Sequence, residues 1–68
     1  MNRYFVDSSD IRSVEFENNT LEIEFNSGGI YQYHGVSQDR YYGLISANSC
    51  GSYFHNFIKP FYPAIKIG

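Results

Sequence analysis

The chain is predicted to fold as an α+β module: a three-stranded antiparallel β-meander followed by two α-helices packed on one face, in the order βββαα. Three observations lead there. Apolar and polar residues alternate from Ile11 to Phe16, from Leu21 to Phe25 and from Ile30 to His34, the period of two that gives a strand one dry and one wet side. Asn18-Asn19 and Asn26-Ser27-Gly28-Gly29 separate these runs with residues that tolerate the backbone angles of tight turns. Beyond Gly35 the period changes, and Tyr41, Leu44 and Ile45 fall at i, i+3 and i+4, the stripe of an amphipathic helix.

Residues 1–10 read as an arm, in which Tyr4-Phe5-Val6 covers an edge of the core and Asp7-Ser8-Ser9-Asp10 forms a turn bonded through its short side chains. Ile11 to Phe16 is the first strand, with Val14 and Phe16 on one side and Glu15 on the other. A two-residue loop at Asn18-Asn19 pairs Phe16 with Leu21 and Val14 with Ile23, and on the opposite side sets Glu15 against Glu22, with Glu17 and Glu24 nearby. Like charges directly opposed destabilise a sheet by a few tenths to about 1 kcal/mol, so this side must face water and the other must face the core. The side taken by Tyr31 and Tyr33 depends on the next loop, because a slip of one residue inverts a strand. A three-residue loop sets both tyrosines beside Ile23 and Leu21; a loop of two or four sets them among the glutamates. Gly28-Gly29 suits the bulged three-residue form.

Gly35-Val36 leaves the sheet. Ser37 is a fitting N-cap for a helix over Gln38–Ala47, and Asp39 in its first turn complements the helix dipole. Gly43 weakens that helix by up to about 1 kcal/mol unless a neighbour needs the space. Asn48 ends it, and Ser49 caps a second helix running through Tyr53, Phe54, Phe57 and Ile58. Lys59 precedes Pro60 and is biased away from helical angles, after which Phe61-Tyr62-Pro63 turns the chain out. Ala64–Ile67 suits either a short strand or a tail packed on the sheet. The whole is one domain over 1–68, with a core from about 8 to 62.

Composition narrows the function classes. The 68 residues carry 7 Tyr and 6 Phe, which compensate for the small core open to so short a chain, since one ring buries roughly 150–250 Å². A net charge of −2 gives no global attraction to phosphate or anionic membrane. Cys50 is the single cysteine, which excludes an internal disulfide and fits a reducing, cytoplasmic setting. No segment has the length and apolarity of a signal peptide or a membrane span.

Candidate chemistry is sparse. Cys50 stands where a helix starts, which favours a thiolate, yet His55 five residues later is off that helical face and no orienting third residue is evident. His34 and His55 lack a clustered partner for a metal. The glutamates lie on an open strand surface and do not flank a pocket, as paired catalytic carboxylates must. Tyr31 and Tyr33 could stack nucleic-acid bases as sheet aromatics do. Arg40, Lys59 and Lys66, with His55 and Asn56, form the nearest thing to a basic patch, with Tyr42 and Tyr53 as stacking partners on the helical side.

Several of these residues also carry a family likeness. Ser8-Ser9-x-Ile11, Leu21-x-Ile23-x-Phe25, Gly28-Gly29-x-Tyr31-x-Tyr33, Gly35-Val36, Tyr41, Leu44, Ala47-x-Ser49-x-Gly51-x-Tyr53-Phe54 and Ile58 occur in the order seen in the KTSC domain. The chain resembles that family from about Ser8 to Tyr62. It departs at His55, where asparagine is expected after the Tyr-Phe pair, and at Ser37, where proline is common. The resemblance brings no established activity with it. The family is named for its occurrence at the C-terminus of some lysyl-tRNA synthetases, which implies RNA or an RNA-associated protein as partner.

The expectation is therefore a small, non-enzymatic, cytoplasmic accessory module with no catalytic residue, cofactor, metal or membrane contact. It touches RNA or an RNA-bound protein through Tyr31, Tyr33, Arg40, Tyr42, Tyr53, His55 and Lys59. The alternative is a protein-interaction or structural domain with no nucleic-acid role.

Overall fold

The structure, a computed structural model, describes residues 3–6 and 8–68, with Arg3 and Tyr4 described as backbone only. Asp7, which the sequence places in the first turn, and the Tyr4 side chain therefore lie outside the described residues. The architecture is α+β: an antiparallel meander of β2 (Ile11–Glu17), β3 (Thr20–Phe25) and β4 (Ile30–His34), then α1 (Gln38–Ser46) and α2 (Cys50–Tyr53), the latter running directly into a π-helical turn (Phe54–Ile58). Two short strands, β1 (Arg3–Phe5) and β5 (Ala64–Lys66), extend the meander at its two edges, so the sheet has five strands in the order β1-β2-β3-β4-β5.

Both hairpins have the predicted register. Asn18 and Asn19 take φ of 52° and 61°, the left-handed pair of a two-residue turn, and Val14, Glu15 and Phe16 oppose Ile23, Glu22 and Leu21. At the next turn Phe25 donates its N–H to Gly29 O at 2.9 Å, and Gly28 has φ 107°. The resulting three-residue loop sets Tyr31 opposite Ile23 and Tyr33 opposite Leu21. An irregularity in the ladder between Ile11 and Ser13 lets Ile11 and Val14 both bury completely although three residues separate them. Gly35, at φ 78°, then turns Val36 into the core.

The helices cover the face that carries Val14, Leu21, Ile23 and Tyr33, and Leu44, Phe54 and Ile58 close the core against it. Phe16 stacks on Tyr41 at 4.7 Å, joining β2 to α1. Ser37 and Ser49 cap the helices as expected, accepting the N–H groups of Arg40 and Ser52. The opposite face bears the glutamates, of which Glu15, Glu22 and Glu24 are half-buried and Glu17 is exposed. Their charge is partly answered locally: Gln32 Nε2 donates to Glu22 Oε1 at 3.0 Å, and Ser13 Oγ to Glu24 Oε1 at 3.1 Å.

Two local expectations are corrected. Phe5 does not cover the core; it pairs with Ser13 on the glutamate face and is 66% exposed, while Val6 packs inward. Lys59 keeps helical angles (φ −55°, ψ −42°) despite the following proline. Its N–H reaches back five residues to Phe54 O at 2.9 Å, and that wide turn outweighs the steric bias of the Lys59-Pro60 bond. Among the described residues no helix is long and apolar enough to cross a membrane.

Candidate functional site

The sheet and the π-helical turn leave a cleft of ≈ 590 Å³ between them. Its floor is aromatic. Alternation along β3 and β4 puts Phe25, Tyr31 and Tyr33 on the helix-facing side, and Phe54 meets Phe25 and Tyr33 edge to face, each at 5.5 Å. Phe25 and Tyr31 touch in the same manner at 5.6 Å. The return of the chain into β5 adds Tyr62, Pro63 and Ala64 as a wall, with Ala64 in register with Tyr33. The rim is polar: Ser27, His55 and Lys59, all exposed. Spacing of four around the π-helical turn gives His55 and Lys59 the same side, and Lys66 lies opposite Tyr31 on this face of the sheet.

Burial grades the two tyrosines. Tyr33 is 3% exposed and its phenol is pushed up to about 12, first by loss of water and then by the neighbouring Tyr31. Tyr31 is half-buried, with Gly29 packed so closely that a Cβ there would come within 2.9 Å of Tyr31 Cε1. Tyr31 thus offers ring surface to a ligand, while Tyr33 chiefly supports the floor.

A second hollow of ≈ 350 Å³ adjoins the first and shares Phe25, Ser27 and His55 with it; Ser9, Asp10 and Asn26 complete its lining. Its polar wall is tied together. Asn26 Nδ2 donates to the carbonyls of Ser8 and Ser9 at 2.9 and 3.0 Å, and its backbone N–H donates to Asp10 O at 2.8 Å. His55 Nε2 lies 3.6 Å from Asp10 Oδ2 at the junction of the two hollows.

Of the seven residues singled out in the sequence, the cleft gathers Tyr31, Tyr33, His55 and Lys59. The other three lie outside it: Arg40 and Tyr53 belong to a separate aromatic surface, and Tyr42 touches the Tyr41 ring elsewhere on α1. Arg40 donates to Phe57 O at 3.0 Å, and its guanidinium lies 5.4 Å from the Phe61 ring and 5.9 Å from the Phe57 ring. Tyr53 packs on Phe57 at 4.8 Å, and Tyr42 is exposed, bonded to Gln38. Arg40 is thus held by α1 and the π-helical turn, away from the cleft. Sequence reasoning passed over Phe25, Phe54 and Tyr62. Phe25 was legible from its place two residues beyond Ile23; Phe54 and Tyr62 enter only because the turn and the β5 return fold over the sheet.

Cys50 and His34 sit elsewhere. Cys50 is 8% exposed, burial raises its thiol pKa, and Sγ donates to Leu44 O at 3.2 Å. His34 bonds Thr20 at 3.0 Å on the glutamate face, across the sheet from His55.

Comparison with known proteins agrees with the order of these elements. The chain is 37% identical over 62 residues to an uncharacterized protein of Stutzerimonas stutzeri, covering 88% of this chain and 87% of that one. It is 42% identical over 55 residues to a lysine–tRNA ligase of a Nostoc species, and 40% identical over 55 residues to that of Trichormus variabilis. Each of these matches covers 78% of this chain and only 10% of the ligase. The crystal structure of a KTSC domain protein from Yersinia pestis superposes with a TM-score of 0.93 at 39% identity, covering 98% of this chain and 97% of that one. The KTSC domain family itself matches residues 7–62, a span that takes in the meander, both helices and most of the cleft. With a solved member of that family reproducing the fold over nearly its full length, the chain belongs to the KTSC domain family.

Proposed function

We propose that this domain is a non-enzymatic accessory module that holds single-stranded RNA in the aromatic cleft. The observation that carries this reading is the pairing of an aromatic floor with two lysines: Tyr31, Phe25 and Phe54 beneath, Lys59 on the rim beside the polar His55, and Lys66 at the side. Stacking of a base on a ring is worth about 1–3 kcal/mol and tolerates any base, while lysines track the phosphates. The glutamates lie on the far face of the sheet, where they do not repel a strand in the cleft. The similarity to two lysine–tRNA ligases, enzymes whose name gives tRNA as substrate, supports the same class of partner. The non-enzymatic reading is supported by the buried, hydrogen-bonded Cys50 and by glutamates that lie on the open strand face.

So few cations give weak, salt-sensitive binding, with a slope of log K against log salt of about −1 to −2. The test is a titration of labelled single-stranded RNA and tRNA at about 50 and 200 mM salt, a range over which phosphate contacts weaken measurably. Saturable binding at low salt that fades at high salt is expected. No binding at low salt removes the proposal.

A second reading rests on the other aromatic surface. Phe57 and Phe61 are 46 and 63% exposed around Arg40, an aromatic and arginine pairing of the kind that anchors protein–protein interfaces. Concentration-dependent sedimentation, or a protein partner lost on Phe61→Ala with RNA binding intact, favours this one.

A further inference from the structure

We infer that the smaller hollow is a base-edge reader that gives the RNA cleft a preference for guanosine. This rests on the RNA reading above and adds to it a specificity that stacking alone cannot supply. Three features carry it.

The hollow is continuous with the cleft through Phe25, Ser27 and His55, so a strand lying over the aromatic floor can drop a neighbouring base into it. Its fixed polar groups are acceptors. Asn26 commits its Nδ2 to the carbonyls of Ser8 and Ser9 and so presents only its oxygen. Asp10 meets His55 through Oδ2, which leaves Oδ1 to accept. Finally, the carboxylate excludes the phosphate backbone from the hollow while Lys59 attracts it on the cleft side, so the two spaces sort a nucleotide into backbone outside and base edge inside.

Base chemistry then selects the occupant. Guanine offers two adjacent donors, N1–H and the N2 amino group, which match the two acceptors that the wall leaves open, Asp10 Oδ1 and Asn26 Oδ1. Adenine and cytosine offer a single exocyclic amino group. Uracil offers one N–H flanked by two carbonyl oxygens that a carboxylate repels. The order expected in the hollow is guanosine first, adenosine and cytidine next, uridine last. Asp10 is the residue that sets this order; Asn26 and Ser27 border it.

The experiment compares oligouridine octamers carrying a single central guanosine, adenosine or cytidine with the all-uridine octamer, at low salt, on the wild-type chain and on Asp10→Asn. The readout is the ratio of affinities, because removing a negative charge strengthens binding of every octamer alike. In the wild type the guanosine octamer is expected to bind about tenfold more tightly than the all-uridine one, the scale of a good two-point base contact. In Asp10→Asn that ratio is expected to fall to near one. Asp10 is 56% exposed at its side chain, so the variant should keep the wild-type unfolding midpoint; should it not, the wild-type ratio decides alone. Equal binding of all four octamers by the wild type overturns the inference and leaves the RNA reading standing. Failure of every octamer to bind removes both.

Discussion

Gly43 on α1 lies against the ring of Tyr53 on α2, so close that a Cβ at residue 43 would overlap the phenol and come within 2.9 Å of its Cε2. The glycine that weakens the helix in isolation is what lets the two helices meet. Tyr53 cannot simply retreat, because it packs on Phe57 at 4.8 Å. Gly43→Ala would gain about 1 kcal/mol of helix propensity, whereas overpacking costs typically 1–3 kcal/mol. The variant is expected to be less stable by about 1 kcal/mol, seen as a lower urea midpoint. In a Tyr53→Ala background the sign should reverse, since the obstruction is gone and the propensity gain remains. A Gly43→Ala variant that is more stable than the wild type with Tyr53 in place would contradict the packing account.

Tyr33 makes the fold sensitive to alkali. Its pKa rises from 10.0 in the unfolded chain to about 12 in the fold, mainly by burial. The folded state therefore holds the proton more tightly. The contribution is complete below pH 10 and is lost as pH rises toward about 12, an effect on the order of 2 kcal/mol. Urea midpoints measured across that window should fall more steeply for the wild type than for Tyr33→Phe, which has no phenol to ionise. Parallel curves would show that the Tyr33 hydroxyl is not held dry.

The two cations separate the cleft from the second aromatic surface. Lys59 stands free on the cleft rim, whereas Arg40 is engaged with Phe57 O and two rings. Lys59→Ala is expected to weaken RNA binding and to reduce the magnitude of the salt slope by about 0.7, the share of one phosphate contact on a single strand. Arg40→Ala should leave that slope unchanged and cost stability instead, on the scale of about 1 kcal/mol for a lost cation–π and hydrogen-bonded site. The reverse pattern would move the RNA site to the Phe57–Phe61 surface.

Cys50 should behave as a structural thiol. Burial raises its pKa and Leu44 O receives its hydrogen bond, so little thiolate is present to react. Modification by a thiol reagent at neutral pH is expected to be slow in the native chain and to reach the rate of a free cysteine in denaturant. Cys50→Ala should leave RNA affinity within about twofold, because the residue lies outside the cleft. Rapid native-state labelling would restore Cys50 as a candidate nucleophile.

Much of the fold was legible because strands and tight turns are specified by neighbours in the chain. Asn18-Asn19 set the register that opposes Val14 with Ile23, and Gly28 permitted the three-residue loop that turned Tyr31 and Tyr33 inward. Once two strands and a loop length are known, alternation assigns every side chain to a face, and the side of the glutamates follows from their mutual repulsion. The caps at Ser37 and Ser49 were legible for the same reason: each acts on an N–H three residues away.

Long-range docking was not written in any local pattern. β1 is too short for periodicity to announce and Ala64–Ile67 suited a strand or a tail equally; both become strands because β2 and β4 present open edges to them. The π-helical turn overrides the bias of Lys59 before proline because Phe54 and Ile58 both need burial at its inner side. The cleft is the sum of these events: residues 25, 31, 54 and 62 converge through space, and Arg40, which composition groups with Lys59, is drawn instead to the Phe57 carbonyl. Alternation and turn chemistry act over a few residues and are therefore visible in the chain itself. Which rings and charges meet across the molecule depends on how the helices seat on the sheet, and that is settled by packing.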